Sequence, residues 1–142
     1  MNISIGKSNE IESFWQLMGS FFASRSLVRE RGDFLYDEEN TIWFIVHDEK
    51  KVLGFCTLRV FPSKCLLGTN YVVSEYRNQG VFLELEKVRR DLIESDFARY
   101  VQETVVRKVH LKAAEEKGFL VVSRRGSWYV LRKEPVAKKG LI

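Results

Sequence analysis

Histidine, cysteine and proline are scarce in this sequence, at two residues each. Two histidines and two cysteines, none at a metal-motif spacing, argue against a zinc centre. Cys56 and Cys65 both lie in apolar, strand-like runs and read as buried thiols rather than a disulfide. No apolar run nears the roughly 20 residues that a membrane-spanning helix needs. Met1-Asn2-Ile3-Ser4-Ile5 lacks the features of a signal peptide. The expectation is a cytoplasmic protein with no membrane partner. Neither sign of charge dominates: 23 Lys and Arg against 19 Asp and Glu leave a formal net charge of +4. That balance suits an anionic cofactor or substrate and is also an ordinary surface. No aromatic-interleaved basic stripe and no DNA-binding motif appears.

What is present is apolar and aromatic: 45% of the 142 residues are hydrophobic, with ten Phe, five Tyr and three Trp. That composition describes a folded chain, and the length describes one domain. The domain is expected over 1–134, with a loose tail at 135–142 after Pro135. No internal repeat is visible.

Residues 2–6 read as a strand, and 10–23 as a helix capped by Asn9 with Glu12 as reciprocal partner. Its apolar side is Ile11, Trp15, Met18 and Phe22, with Phe14 and Phe21 beside them. A short helix over 26–31 stops at Gly32, and 33–40 is a loop. Strands follow at 41–47 and 52–61, joined by a polar turn, with Gly54 marking a bulge or a close approach. Past the centre of the chain come a strand at 97–105, a helix at 106–117 facing inward through Val106, Val109, His110 and Ala113, and a hairpin of 119–124 with 128–132. The strand at 97–105 follows a helical crossover and is expected to run parallel to the one before it.

The chain is organised around 65–93, CLLGTNYVVSEYRNQGVFLELEKVRRDLI. It reads as a strand to Val73, a polar loop ending at Gly80, and a helix whose Val81, Leu85, Val88 and Leu92 share a face. The N–H groups of a first helical turn have no partner within the helix, and the dipole favours negative charge there. With Arg77 for charge and Gly80 for close approach, this is a phosphate or pyrophosphate site in outline.

Arg77-Asn78-Gln79-Gly80-Val81-Phe82, preceded by Val72-Val73-Ser74-Glu75-Tyr76, resembles the acetyl-CoA pyrophosphate loop of the GNAT N-acyltransferases. That motif runs Arg or Gln, two residues, Gly, one residue, Gly or Ala; Phe82 departs from it at the last position. The order of elements is similar to the GNAT fold along essentially the whole chain. The resemblance therefore implies an α/β (α+β) fold with a mixed central sheet and flanking helices. Lys117-Gly118-Phe119 resembles the family's end of the last helix, but Ala114 stands where a tyrosine is frequent and Arg107 where an asparagine is.

The resemblance implies acetyl-CoA, or another acyl-CoA, as co-substrate. It implies that Val72 and Val73 bond the pantetheine arm through main chain. Arg77, Asn78, Gln79, Gly80, Val81 and Phe82 would then hold the pyrophosphate, with Arg77 also contacting it through its side chain, and Arg107 is a candidate for the 3′-phosphate. With no tyrosine at 114, His110, Tyr71 and Tyr129 are the replacement acids or bases. The implied activity is transfer of an acyl group, most simply acetyl, to a primary amine of a small molecule or protein. The alternatives are a non-catalytic binding protein on the same fold, or an atypical transferase acting on nucleic acid or protein. The apolar final hairpin is a candidate homodimer surface. No metal is expected.

Overall fold

A computed structural model of the chain describes residues 1–135. The tail expected at 135–142 lies, but for Pro135, outside them. The elements in order are β1 (Asn2–Gly6), α1 (Phe14–Phe22), α2 (Arg25–Arg31), β2 (Thr41–Asp48), β3 (Lys51–Val60), β4 (Lys64–Val72), α3 (Val81–Asp96), β5 (Val101–Arg107), α4 (Leu111–Glu116), β6 (Leu120–Arg125) and β7 (Trp128–Lys133). Among the described residues the strands form one seven-stranded sheet in the order β1-β2-β3-β4-β5-β7-β6. β1 and β2 are antiparallel, β4 and β5 are parallel as the helical crossover requires, and β7 lies between β5 and β6, antiparallel to both. The chain divides into two compact units: Met1–Thr57 with Thr69–Arg89, and Leu58–Gly68 with the chain from Arg90.

The first unit is built on aromatic packing. Phe14, Leu17, Met18, Leu27, Trp43, Ile45, Val52 and Phe55 are buried together, and Phe21, Phe22 and Tyr71 pack against them. Phe14 meets Trp43 edge-on at 5.4 Å and Phe21 meets Phe55 at 5.2 Å, the geometry that aromatic quadrupoles favour. Removing a ring such as Trp43, which is fully buried, is a change in the range of about 3–5 kcal/mol.

Helix α1 starts later than the sequence predicts. Residues 7–13 turn instead: the Lys7 carbonyl accepts from Glu10 and Ile11 N–H at 2.9 and 3.1 Å, and the Glu10 carboxylate accepts from Lys7 N–H at 2.7 Å. Glu10 thereby does the reciprocal capping expected of Glu12. The buried stripe is Phe14, Leu17 and Met18, and Trp15 is exposed. Two stripes satisfy the helical period here, and packing on Trp43 chooses the one through Phe14. Helix α2 is as predicted. Ser24 Oγ accepts from Leu27 N–H at 3.1 Å, and Gly32, at φ 84°, ends the helix.

In the second unit Ala114, Phe119 and Leu131 form a core with Leu67, Val106, Leu111 and Tyr129 packed against it. The strand expected at 97–105 lies at Val101–Arg107, because Phe97 N–H still bonds the Ile93 carbonyl at 2.8 Å and carries the end of α3 forward. The helix expected at 106–117 is reduced to α4 after a 3-10 turn at Lys108–His110. Val106 is therefore a strand residue. Val109, His110 and Ala113 are exposed, and Leu111 and Ala114 take the inward positions. In α3 the fully buried stripe is Val81, Leu85, Arg89 and Ile93; Val88 and Leu92 are only half-buried. Arg89 lies on that stripe because its guanidinium donates to the Thr57 carbonyl at 3.1 Å.

Candidate active site

The first unit brings together every candidate residue from Tyr71 to Phe82. Strand β4 reaches them across a backbone irregularity. Thr69 has φ 54°, a left-handed conformation that a β-branched residue seldom adopts. The parallel β4–β5 ladder runs from Lys64–Val101 to Leu67–Thr104, and Thr104 Oγ1 donates to the Leu67 carbonyl at 3.0 Å. The irregularity falls just past the end of that ladder, and β4 continues to Val72.

Val73 N–H bonds the Leu53 carbonyl of β3 at 2.9 Å. Successive residues of a strand alternate the edge to which their N–H and C=O point. Val72 therefore presents its polar groups to the opposite edge of β4. Beneath this point Gly54 admits the chain: a Cβ there would stand 2.8 Å from the Tyr71 carbonyl oxygen and 3.0 Å from Val81 Cγ1. The close approach predicted for Gly54 is found.

After Val73 the chain makes a 3-10 turn at Ser74–Tyr76, then turns through Asn78 and Gly80, both left-handed at φ 64° and 85°. Asn tolerates that conformation and Gly adopts it without cost. Asn78 and Gln79 have exposed side chains, and Gln79 Nε2 donates back to the Glu75 carbonyl at 3.0 Å. The α3 ladder opens with Glu84 N–H on the Gly80 carbonyl at 3.1 Å. The turn thus delivers the chain to a long helix's N-terminus, where partial positive charge collects. Val81 is buried at its start and Phe82 is half-buried.

Arg77 does not extend freely into solvent. Its Nε donates to the Val72 carbonyl at 2.9 Å, its Nη2 donates to Glu30 Oε1, and its guanidinium lies over the Tyr71 ring at 5.5 Å. Tyr71 Oη donates to the other Glu30 oxygen at 3.2 Å. The Arg77 hydrogen bond holds the Glu30 carboxyl below its ordinary range. Burial first, and then the Glu30 charge, raise the Tyr71 phenol above its usual value, so it stays protonated at neutral pH. Glu30 lies far from Arg77 in sequence, on α2, and no local pattern marks it. Only the folded chain reveals it.

The second unit places the other candidates. Arg107 closes β5, rather than opening a helix as predicted, and lies over the Trp128 ring at 4.7 Å. His110 is the exposed residue preceding α4. Tyr129 packs against the Ala114-Phe119-Leu131 core and carries the Arg124 guanidinium on its ring at 5.2 Å. Glu103, on the same strand as Arg107, is engaged by Arg132 at 3.3 Å and Lys64 at 3.7 Å.

Solved structures share this architecture. An acyl-CoA N-acyltransferase from Pseudomonas aeruginosa superposes with a TM-score of 0.75 at 11% identity, covering 93% of this chain and 98% of its own. The ribosomal-protein-S18-alanine N-acetyltransferase of Escherichia coli gives 0.70 at 14%, covering 99% of both chains. A GNAT family acetyltransferase from Elizabethkingia anophelis with acetyl-CoA bound gives 0.59 at 13%, covering 94% of this chain and 97% of its own. The fold is that of the GNAT N-acyltransferases. No family model matches the chain, and no curated protein matches it in sequence. The GNAT architecture is therefore carried here by a sequence 11–14% identical to these three structures, with a buried alanine at 114. Among the described residues no helix is long and apolar enough to cross a membrane.

Proposed function

We propose that this protein is an acyl-CoA-dependent N-acyltransferase that moves an acyl group, most simply acetyl, from acetyl-CoA to a primary amine. The observation that carries the reading is the end of β4. Val72 turns its polar groups off one edge, and the left-handed turn at Asn78 and Gly80 follows at once, leading into the N-terminus of α3. The Val72 N–H suits a carbonyl of the donor, and the turn suits its pyrophosphate.

In the transfer, the neutral amine nitrogen attacks the thioester carbonyl carbon. The carbonyl oxygen gains negative charge, for which the Val72 N–H is the donor. Collapse breaks the C–S bond, coenzyme A leaves as thiolate, and the amine sheds a proton. Tyr71, held protonated beside Val72, is our first candidate to protonate the thiolate. His110 and Tyr129 remain candidates on the second unit, and Arg107 the candidate for the 3′-phosphate. Asn78, Gln79, Val81 and Phe82 contribute main chain to the pyrophosphate in this reading. Residues 1–134 act as one GNAT-type domain. The likeness to enzymes that take amine acceptors supports an amine of a small molecule or protein as acceptor. A homodimer is supported by the exposed Leu120 and Val121 of edge strand β6.

Calorimetric titration with acetyl-CoA and coenzyme A tests the donor, and thiol release across a panel of amines tests the transfer. Micromolar binding with release is expected. Failure to bind either nucleotide overturns the reading. Ala114, buried where the family often has tyrosine, favours one second reading, a non-catalytic binding protein. Tight coenzyme A binding with no thiol release from any amine would select it.

A further inference from the structure

Arg77 is held as a ligand is held. Its guanidinium rests on an aromatic face, on a carboxylate and on a main-chain carbonyl: Tyr71 at 5.5 Å, Glu30 Oε1, and Val72 O at 2.9 Å. These are the three kinds of group that bind an organic cation. The set is anchored. Tyr71 packs on Phe55 with the rings tilted at 5.5 Å and meets Phe21 edge-on at 6.4 Å, and its hydroxyl fixes the second Glu30 oxygen at 3.2 Å. Glu30 is carried by α2, which is capped at both ends by Ser24 and Gly32.

The same guanidinium begins the turn that leads to α3. A pyrophosphate there offers Arg77 more negative charge than one carboxylate does, and oxygens that accept two parallel bonds. Arginine stays charged throughout, so its departure leaves the Glu30 carboxylate without its counter-charge, held only by the Tyr71 hydroxyl.

We infer that Glu30, Tyr71 and the Val72 carbonyl form the subsite for the acceptor, that the acceptor enters as an aliphatic primary ammonium, and that Arg77 fills this subsite until the donor's phosphates draw it away. The inference rests on the N-acyltransferase reading and adds to it the charge class of the acceptor and an order of binding. Donor and acceptor become coupled: each favours the position of Arg77 that the other needs, and by linkage the effect is reciprocal. Glu30 then orients the incoming nitrogen beside Val72; the ammonium passes one proton to water before the neutral nitrogen attacks, and Glu30 takes no part in breaking bonds.

The experiment is calorimetric titration of coenzyme A into wild type, Glu30→Gln, Arg77→Ala and the double variant, each with and without n-butylammonium chloride. Sodium chloride at equal ionic strength is the salt control, and pantetheine is the ligand without phosphates. Glu30→Gln keeps the shape of the side chain and removes its charge. It is expected to tighten coenzyme A by about 2- to 5-fold, since the donor no longer takes Arg77 from a carboxylate. In the Arg77→Ala background the same change is expected to do nothing, which separates release of Arg77 from simple loss of a repelling charge. Pantetheine affinity should not move. Butylammonium should tighten coenzyme A on wild type and have no effect on Glu30→Gln. If wild type binds coenzyme A but Glu30→Gln leaves its affinity unchanged or weaker, the subsite inference falls and the transferase reading stands. An equal gain in both Arg77 backgrounds, or a butylammonium effect matched by sodium chloride, also overturns it. If wild type binds no coenzyme A, both readings fall together.

Discussion

A methyl group added to Gly54 would stand 2.8 Å from the carbonyl oxygen of Tyr71, closer than carbon and oxygen pack. Strand β3 is thus drawn against β4 at the residue before Val72, and the candidate site depends on that approach. Gly54→Ala is expected to cost about 1–3 kcal/mol by overpacking. Urea unfolding measures the loss, and coenzyme A affinity should fall with it, because the intruding methyl displaces Tyr71 and Val72 together. An alanine variant as stable as wild type would show that β4 moves aside freely.

Thr69 carries backbone strain. A β-branched residue at φ 54° costs about 1–2 kcal/mol relative to its relaxed conformations. Thr69→Gly should therefore raise stability, by less than the full strain because glycine gains freedom in the unfolded chain. The check is the unfolding midpoint of Thr69→Gly beside Thr69→Ala, which keeps a Cβ and should gain less. Equal midpoints for the two variants would argue that the strain is absent.

Arg77→Glu should weaken coenzyme A by about 10- to 100-fold, the loss of one or two charge-assisted bonds to phosphate. Its effect on stability should be small, because Arg77 and Glu30 form an exposed pair. Calorimetry and thermal unfolding on the same sample separate the two effects. An unchanged dissociation constant would remove the pyrophosphate from this turn.

Burial raises the thiols of Cys56 and Cys65 from 9.0 to about 11 each. Both are acids kept neutral by the fold, so the unfolded state ionises first as the solution turns alkaline. Their contribution to stability is complete below pH 9 and is lost as pH rises toward 11. Urea midpoints should fall more steeply between pH 8.5 and about 10.5 in wild type than in Cys56→Ala/Cys65→Ala. Native protein at pH 8 should also react slowly with a thiol reagent and quickly once unfolded. Parallel slopes for the two proteins would contradict the burial argument.

Local chemistry made much of this protein legible from its residues. Alternating and continuous apolar runs marked the strands, Ser24 and Gly32 bracketed α2, and the helical crossover made β5 parallel to β4. Each of these depends on neighbours in the chain. The Arg77–Phe82 turn was legible for the same reason, since a glycine, a basic residue and a change of period are consecutive features.

Tertiary packing decided what periodicity left degenerate. Two stripes of α1 satisfied the same repeat, and Trp43 selected Phe14 over Trp15. Val106 and Arg107 have residue types that a strand or a helix accepts, and pairing with Tyr129 and Trp128 made them strand. Arg89 reads as a surface charge until the Thr57 carbonyl meets it inside. Glu30 offered no sign of its partners, because the contact joins segments that only folding brings together. The residues by themselves determined an α/β chain carrying a basic, glycine-containing turn between β4 and α3. The tertiary structure alone decided that the arginine of that turn rests on Glu30, Tyr71 and Val72, because opposite charge and an aromatic face attract only once the fold has placed them within reach.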